Sequence, residues 1–309
     1  MGIRVVVTGG LGFMGSHFVK YLHHHSLADH IVVFDNLSYS ADQARLSSLP
    51  ERSYELVIGD IRDQEAVDSV SDGADYFFNF AAETHNDNSL VRPKDFLETN
   101  VTGVFNILQA ARKNSFHFHQ ISTDEVFGDL RLGSPERFTE TSAYKPSSPY
   151  SASKAASDML VLSWVRSFGV RATLTNSANN YGDFQDPEKL IPRSIGLLTQ
   201  GKKPELYGTG KNIRDWLHVD DHSSAVWRVA TAAKNGSRYL VSRNQLLSNI
   251  ELMGLVNQRF GKKANDLTFI AERPGHDLMY ASDSALLRTE LAWAPIGPSM
   301  QKWLETIPI

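Results

Sequence analysis

The feature that most constrains the fold of this chain is the alternation of short apolar runs with helical patterns through its first half. Strand-like runs fall at residues 5–8, 31–35, 55–59, 76–81 and 117–122. Helical patterns between them include residues 16–25, 96–113 and 150–168. Because these strands are almost continuously apolar, we expect them to be buried on both faces. This spacing is typical of βαβ units, so we predict an α/β fold with a Rossmann-like, doubly wound parallel sheet.

The second half of the chain is less regular. From about residue 179 the loops grow, and glycine and proline interrupt the pattern more often. We predict that residues 1–178 form a dinucleotide-binding domain, to which a segment near residues 217–243 returns with a further strand at 239–242. The remaining residues, mainly 179–216 and 244–309, are expected to form a smaller C-terminal lobe that binds the substrate.

The composition excludes several classes of protein. The chain has 309 residues, 41% of them hydrophobic, and no cysteine, so it has no disulfide scaffold, thiol nucleophile or thiolate zinc site. Thirty-one lysines and arginines against 35 aspartates and glutamates give a net charge of -4, unlike a nucleic-acid-binding protein. No apolar run approaches the ~18 residues that span a bilayer, and the N-terminus has no signal-peptide pattern. We therefore expect a soluble, cytoplasmic protein that binds neither membrane nor nucleic acid.

A glycine pattern follows the first predicted strand. Gly9, Gly12 and Gly15 are spaced G-x-x-G-x-x-G, and a helix is predicted directly after them. Glycine lets the backbone approach a pyrophosphate closely, and the helix N-terminus offers free N–H groups to it. Asp35 ends the second strand at the expected ~20 residues from the last glycine, where a carboxylate binds the adenosine ribose of NAD and disfavours NADP. The alternative is a glycine turn in a protein that binds no nucleotide.

Two other patterns stand near this predicted cofactor site. Asp60, with Ile61, follows the third strand and is expected near the adenine, with capping of the next helix as the alternative. Tyr150 and Lys154 form a Y-x-x-x-K pattern, and residues four apart lie on one helix face. An ammonium beside a tyrosine hydroxyl favours the phenolate, so Tyr150 is expected to act as a base, although an ordinary helix face is the alternative. Together with the glycines, the pair resembles the extended short-chain dehydrogenase/reductase superfamily, in which it serves hydride transfer to NAD.

An acidic pair follows the fifth predicted strand. Thr123 could hydrogen-bond a reacting hydroxyl, and Asp124 and Glu125 place two carboxylates at the sheet edge where such folds bind ligands. Adjacent strand residues point to opposite faces, so both can reach one substrate only if the chain leaves strand geometry, which Gly128 permits. A solvated acidic turn is the alternative.

The run from Ser122 to Gly128 resembles the Ser-Thr-Asp-Glu-Val-Tyr-Gly motif of the nucleotide-sugar 4,6-dehydratases. The resemblance covers nearly the whole chain, through segments at residues 80–85, 98–100, 138–141, 149–154, 179–182, 187–192, 213–216 and 273–277. In this order the segments identify the chain as a member of the dTDP-glucose 4,6-dehydratase family, whose members make deoxysugar precursors.

The resemblance implies a reaction and a role for each catalytic residue. Tyr150 takes the proton of the glucose 4-hydroxyl while the C4 hydride passes to NAD, and Lys154 holds the nicotinamide ribose and tunes Tyr150. Glu125 removes the C5 proton, Asp124 protonates the departing 6-hydroxyl, and Thr123 binds the 4-hydroxyl. The hydride then returns to C6 and leaves a 4-keto-6-deoxy sugar. Neighbouring carboxylates suit this elimination because their pKa values are pushed apart.

The resemblance also implies two sets of binding residues. The cofactor set is Gly9, Gly12, Phe13, Met14, Gly15, Asp35, Asn36, Asp60, Ile61, Ala81, Ala82, Thr99, Tyr150 and Lys154. The nucleotide-sugar set is Glu83, His85, Thr123, Asn180, Glu188, Lys189, Arg214, Arg273 and His276. The guanidinium groups of Arg214 and Arg273 suit a diphosphate, with structural salt bridging as the alternative. No metal is expected, since His23, His24 and His25 fit a solvated helix end, and His218 and His222 fit a helix start.

The chain departs from the family pattern at several positions. Phe127 replaces a usual tyrosine, Asn86 a usual apolar residue, and Asn88 and Asn176 usual arginines. Because of these departures, the sequence does not determine which nucleotide base and which sugar substituents the protein accepts. Alternative functions are a nucleotide-sugar 4-epimerase, a dehydratase of a UDP-sugar and a non-catalytic NAD-binding protein. The family also implies a homodimer in which helices near 96–113 and 150–168 pair with their copies as a four-helix bundle.

Overall fold

The computed structural model describes residues 2–272 and 274–309. The strands are β1 (Arg4–Thr8), β2 (His30–Asp35), β3 (Glu55–Ile58), β4 (Tyr76–Asn79), β5 (His117–Thr123), β6 (Ala172–Ser177), β7 (Asn179–Tyr181), β8 (Glu205–Tyr207), β9 (Ile213–His218), β10 (Arg238–Val241), β11 (Leu246–Ser248) and β12 (Thr268–Ile270). The α-helices are α1 (Phe13–His24), α2 (Gln64–Ser71), α3 (Asn86–Val91), α4 (Pro93–Leu97), α5 (Val104–Asn114), α6 (Pro149–Phe168), α7 (Leu190–Thr199), α8 (Val219–Ala232), α9 (Asn249–Arg259), α10 (Ala285–Leu291) and α11 (Met300–Thr306). Short 3-10 segments lie at Gln43–Leu46 and Asp124–Phe127, and a π-helix at Glu98–Gly103.

The main sheet has seven parallel strands in the order β10-β6-β5-β4-β1-β2-β3. The order reverses between β1 and β4, and this reversal opens a crevice at the carboxyl ends of these strands. The predicted Rossmann-like α/β fold is therefore confirmed. Each strand predicted in the first half is present, with its ends within two residues of the predicted ones, and β10 pairs with β6 near the predicted run at 239–242.

Helices cover both faces of this sheet. Val6 of β1 packs on one side in a cluster with Ile107 of α5, and Val5 and Val7 pack on the other with Phe18 of α1. All five side chains are fully buried. Successive strand residues point to opposite faces, so a strand that is apolar at every position requires helices on both sides.

The predicted helix at 96–113 is wrong in its middle, where Glu98–Gly103 forms a π-helix between α4 and α5. Asn100 lies in this wider turn and is buried. Its side-chain oxygen accepts from Glu83 N at 2.9 Å, and its Nδ2 donates to Ser153 Oγ at 2.9 Å. The π-helix therefore carries hydrogen bonds that join the chain after β4 to α6.

A second group of elements builds the C-terminal lobe. Strands β11, β9 and β7 form one small sheet and β12 and β8 another, and α7, α9 and α11 pack with them. Their core includes Tyr181, Trp216, Leu252 and Trp303. The predicted boundary at residue 178 stays a prediction. In the described parts of the chain, every helix is too short or too polar to cross a membrane.

Candidate active site

A cleft of about 490 Å³ opens at the carboxyl edge of the main sheet. Its walls come from the turn after β1, the ends of β2 to β5, the start of α6 and the chain after β6. The structure brings all residues predicted for the cofactor to this one cleft, namely Gly9, Gly12, Phe13, Met14, Gly15, Asp35, Asn36, Asp60, Ile61, Ala81, Ala82, Thr99, Tyr150 and Lys154.

The glycine turn is packed too closely for side chains. Gly9 has a φ of 61°, and a Cβ there would lie 2.8 Å from Ala81 N. A Cβ on Gly15 would overlap Gly9 O. Gly12 precedes α1 and no side chain caps this helix, so its first N–H groups are available to a ligand. The turn therefore fits a dinucleotide pyrophosphate.

Asp35 joins the glycine turn to the end of β2. Its Oδ2 accepts from Leu11 N at 3.0 Å, and its Oδ1 accepts from Leu37 N at 3.0 Å. These bonds fix the carboxylate in the cleft wall, and each oxygen keeps a lone pair for a further donor. This arrangement fits the ribose hydroxyls of NAD.

Asp60 also lies in the cleft wall and does not cap the next helix, so the capping alternative is wrong. Asp63 caps α2 instead, by accepting from Glu65 N at 2.9 Å. Burial opposes the ionisation of Asp60, but hydrogen bonds from Arg62 and Asn36 outweigh it and lower its pKa to about 2. Asp60 is therefore a fixed negative charge that orients Asn36.

The acidic pair leaves strand geometry as predicted. β5 ends at Thr123, Asp124–Phe127 forms a 3-10 turn, and Gly128 ends this turn with a φ of 85°. Both carboxylate residues line the cleft. The solvated-turn alternative is wrong for Asp124, which is 1% exposed.

The two carboxyl groups have different surroundings. Burial, followed by repulsion from Glu125, raises the pKa of Asp124 well above its usual value. Asp124 Oδ2 accepts no hydrogen bond from any described residue. Glu125 is only half-buried, and its Oε2 accepts from Asn86 Nδ2 at 3.1 Å. Asp124 is therefore suited to hold a proton, and Glu125 to accept one.

Tyr150 and Lys154 lie on one face of α6 and both are buried. Burial and then the charge of Glu125 raise the pKa of Tyr150, while a hydrogen bond from Thr123 opposes the rise. This direction is opposite to the one expected from Lys154 alone, because the effect of burial is the largest. Lys154 Nζ donates to Ile121 O at 2.6 Å. Burial lowers the pKa of Lys154 to about 8, so its ammonium persists at neutral pH.

Asp158 extends this row by one more helical turn, and the sequence reasoning missed it. It is fully buried, and its Oδ2 accepts from Ser122 Oγ at 2.8 Å, Tyr144 OH at 3.0 Å and Asn176 Nδ2 at 3.0 Å. Its charge raises the pKa of Lys154 against the effect of burial. The signal was its spacing of four residues from Lys154 on a helix face.

The structure brings only some of the residues predicted for the nucleotide sugar to the cleft. Glu83, Thr123, Asn180 and Lys189 line the cleft. Lys189 Nζ lies 3.5 Å from Thr84 O, across the gap between the two lobes. Asn180 and Lys189 thus bring the C-terminal lobe to the catalytic edge.

The other predicted substrate residues do not line the cleft, or lie outside the residues that the structure describes. His85 caps α3 by accepting from Asn88 N at 3.2 Å. Glu188 lies 3.7 Å from the Lys189 ammonium. His276 Nδ1 lies 2.6 Å from Glu272 Oε1. Arg273 is not among the residues that the structure describes.

Arg214 is buried behind the acidic pair rather than exposed to the cleft. Its Nη1 donates to Ile213 O at 2.8 Å and its Nη2 to Asp277 O at 2.8 Å. The guanidinium lies 4.2 Å from the centre of the Tyr280 ring. Its positive charge also opposes the rise in the pKa of Asp124. Its role at a diphosphate stays a prediction.

Arg45 connects the glycine turn to the C-terminal lobe, and no local pattern in the sequence pointed to it. Its Nη1 donates to Leu11 O at 2.9 Å, its Nε to Phe184 O at 3.2 Å and its Nη2 to Asp186 Oδ1 at 2.8 Å. Arg45 is buried, and Asp186 lines the cleft beside Gln185. The loop at 183–186 is therefore held against the cofactor side by an ion pair whose arginine is buried.

Two departures from the family pattern have structural partners. Phe127 is buried between Phe138 and Tyr144, with ring centres 5.3 Å and 5.4 Å away. It lies outside the cleft wall, so its missing hydroxyl does not alter the lining. Asn176 donates to Thr123 O at 3.0 Å, in addition to Asp158.

Comparisons with known proteins identify the family of the chain. The chain matches the GDP-mannose 4,6 dehydratase family over residues 6–300. It is 46% identical over 293 residues to a dTDP-glucose 4,6-dehydratase of Mycolicibacterium smegmatis, in a match that covers 95% of this chain and 88% of that protein.

Solved structures give the same result. DesIV, a dTDP-glucose 4,6-dehydratase of Streptomyces venezuelae crystallised with NAD, superposes with a TM-score of 0.93 at 37% identity, and the match covers 98% of this chain and 95% of DesIV. A UDP-glucose 4-epimerase of Thermus thermophilus in complex with NAD gives 0.88 at 26% identity, and the match covers 98% and 97%. The dehydratase is the more similar of the two in sequence.

Proposed function

This chain belongs to the GDP-mannose 4,6 dehydratase family, in which its relatives are dTDP-glucose 4,6-dehydratases, and we propose that it dehydrates dTDP-glucose with NAD as cofactor. The product is the 4-keto-6-deoxy sugar nucleotide. The observation that carries the proposal is the pairing of a buried Asp124 with a more exposed Glu125 beside Tyr150 in one cleft. Simple epimerisation at C4 requires no such acid–base pair.

The cofactor residues fit NAD. The turn from Gly9 to Gly15 has no room for side chains against a pyrophosphate, and Asp35 presents fixed carboxylate oxygens for ribose hydroxyls. Bound here, NAD would supply a reversible hydride acceptor for C4 and C6, so the overall reaction is redox-neutral. Lys154 and Tyr150 lie where they could bind the nicotinamide ribose.

Tyr150 starts the reaction by accepting the proton of the 4-hydroxyl as C4 is oxidised. Burial raises the pKa of this phenol, so the neighbouring cation of Lys154 is needed to make the transfer favourable. Thr123 shares a hydrogen bond with Tyr150, so its hydroxyl is placed to bind the 4-hydroxyl of the sugar as well. The C4 ketone then acidifies the C5 hydrogen.

Glu125 and Asp124 perform the elimination. Glu125 accepts the C5 proton, and Asp124 gives its proton to the 6-hydroxyl, which leaves as water. Raising the pKa of Asp124 by burial keeps this proton in place until it is needed. After the hydride reaches C6, C5 takes up one proton. Two protons are thus accepted by side chains and two are released, and the sugar loses one water.

We also propose that the enzyme is a homodimer. Large apolar side chains are exposed on the helices named in the sequence prediction: Leu97 on α4, Phe105 on α5, and Met159 and Phe168 on α6. Pairing of α5 and α6 with their copies in a four-helix bundle would cover them. Sedimentation at micromolar concentration should give twice the monomer mass, and a monomer would contradict the proposal.

Incubation with NAD and dTDP-glucose tests the activity. Mass spectrometry should show the loss of one water, and alkali should reveal the 4-keto product by its absorbance. A thermal-shift series with dTDP-, UDP-, GDP- and CDP-glucose should give the largest stabilisation with the dTDP sugar. Unchanged sugar mass with all four nucleotides would refute the proposal.

A further inference from the structure

Asn86 is one of the departures from the family pattern, and it contacts the acidic pair directly. It is the first residue of α3, and its Nδ2 donates to Glu125 Oε2 at 3.1 Å. Among the described residues, it is the only one that donates a hydrogen bond to the Glu125 carboxylate. The contact joins the loop after β4 to the turn after β5.

The orientation of the Asn86 amide follows from its two partners. The carboxylate of Glu125 can only accept, so the amide nitrogen faces it. The amide oxygen, Oδ1, then faces Ser148 Oγ at 3.0 Å. Ser148 Oγ accepts from Ser151 N at 3.1 Å as the N-cap of α6, which leaves its hydroxyl proton for Asn86. The bonds therefore run in one direction, from the helix to Glu125.

This direction has an electrostatic consequence. α6 has 20 residues, and its N-terminus carries a partial positive charge. Each donor in the series from Ser151 N through Ser148 and Asn86 polarises the next, so the last bond, from Asn86 to Glu125, is strengthened. The same helix carries Tyr150 and Lys154. α6 therefore positions Tyr150 directly and Glu125 through Ser148 and Asn86.

The Oδ2 atom of Asp124 lacks a comparable donor. It is buried without a hydrogen-bond partner among the residues described, although Asp124 lies next to Glu125 in sequence. A side-chain donor therefore holds Glu125 Oε2, whereas Asp124 Oδ2 has none among the described residues. Asn86 thus adds to the asymmetry that the elimination needs.

We propose that Asn86 is a positioning residue that holds the Glu125 carboxylate and aims it for removal of the C5 proton. The inference rests on the proposed dehydratase function and adds to it a residue of this chain that replaces the usual apolar one. It assigns Asn86 to the elimination step and not to the oxidation at C4.

The test compares Asn86→Leu, Asn86→Asp and the control Asn88→Leu. Asn88 lies two residues further along α3 and makes no side-chain hydrogen bond to a described residue. The leucine variant loses the donor, and the near-isosteric aspartate replaces it with an acceptor. We expect either change to slow dehydration ~10- to 100-fold, the effect of losing a hydrogen bond to a charged group. Asn88→Leu should remain within about twofold of wild type.

Two measurements separate positioning from simple loss of structure. The absorbance of the reduced cofactor should build up during turnover in the Asn86 variants, because C4 is still oxidised while C5 deprotonation is slow. A primary isotope effect from deuterium at C5 should increase in these variants and stay unchanged in Asn88→Leu.

The outcomes distinguish the inference from the function on which it rests. If wild type fails to release water from any of the sugar nucleotides, the proposed function is wrong. If wild type dehydrates dTDP-glucose and folded Asn86→Asp does so at the wild-type rate and with the wild-type isotope effect, the role of Asn86 is wrong. Equal slowing of C4 oxidation and dehydration would also overturn it, since that result indicates general damage to the site.

Discussion

Replacing Asp158 with asparagine removes a buried negative charge one helical turn beyond Lys154. Burial raises the pKa of Asp158, while the charge of Lys154 and three accepted hydrogen bonds oppose this rise and favour the carboxylate. With Asp158 present, the pKa of Lys154 is about 8. Without it, burial acts on the ammonium unopposed, so the pKa of Lys154 should fall.

The size of this fall follows from the spacing of the two residues. Side chains four residues apart on a helix are ~6 Å apart, so at an effective dielectric constant of ~20 the charge is worth ~3 kcal/mol, or ~2 pH units. The pKa of Lys154 should therefore reach ~6. At pH 7 the cationic fraction then falls from ~90% to ~10%, and activity that depends on the cation falls about tenfold.

The assay is the pH dependence of kcat/KM for dTDP-glucose. The alkaline limb, near pH 8 in the wild type, should move to lower pH in Asp158→Asn, because Lys154 loses its proton earlier. Tyr144→Phe is the control, since it removes one hydrogen bond to Asp158 and leaves the charge. An alkaline limb that stays in place in folded Asp158→Asn would refute the reasoning.

Three further substitutions test other parts of the site. Glu125→Gln should still oxidise C4 but release water at least ~100-fold more slowly, as measured by product mass, and full turnover would refute its role as the base. Gly15→Ala should abolish NAD binding in calorimetry because its Cβ overlaps Gly9 O, whereas Gly196→Ala, with open space around it, should bind normally. Arg45→Met should lower the free energy of unfolding in urea by ~1–3 kcal/mol by leaving the partly buried Asp186 unpaired, and Asp186→Leu added to it should restore much of the loss.

Features that depend on local pattern were predictable from the sequence. The apolar runs of β1, β2, β4 and β5 identified the main sheet, because only a sheet covered on both sides buries such strands. The expectation is wrong for β3, which lies at the sheet edge and leaves Ile58 exposed. The spacing of Gly9, Gly12 and Gly15 located the cofactor turn, since each glycine meets a close backbone approach there. The helical periodicity of α6 placed Tyr150 and Lys154 on one face.

Features set by partners elsewhere in the chain were not predictable. The π-helix at Glu98–Gly103 inserts a wider turn into a region whose apolar spacing still reads as one helix, and its hydrogen bonds go to Glu83 and Ser153. Arg214 has the chemistry for a diphosphate, yet its guanidinium is directed to backbone carbonyls and to Tyr280. Residue type indicated what these side chains can bind but not the direction in which they point.

Asn86 combines the two kinds of feature, because the sequence identified the residue but not its partners. The sequence marked it as unusual, because an amide stands where the family pattern has an apolar residue. Its partner Glu125 is 39 residues away, and its orientation depends on Ser148, which is 62 residues from it in sequence. Neither contact leaves a trace in local periodicity, so only the fold connects the departure to the acid–base pair. A polar residue that departs from a family pattern is therefore best interpreted from the atoms it faces, and here those atoms belong to the base of the proposed reaction.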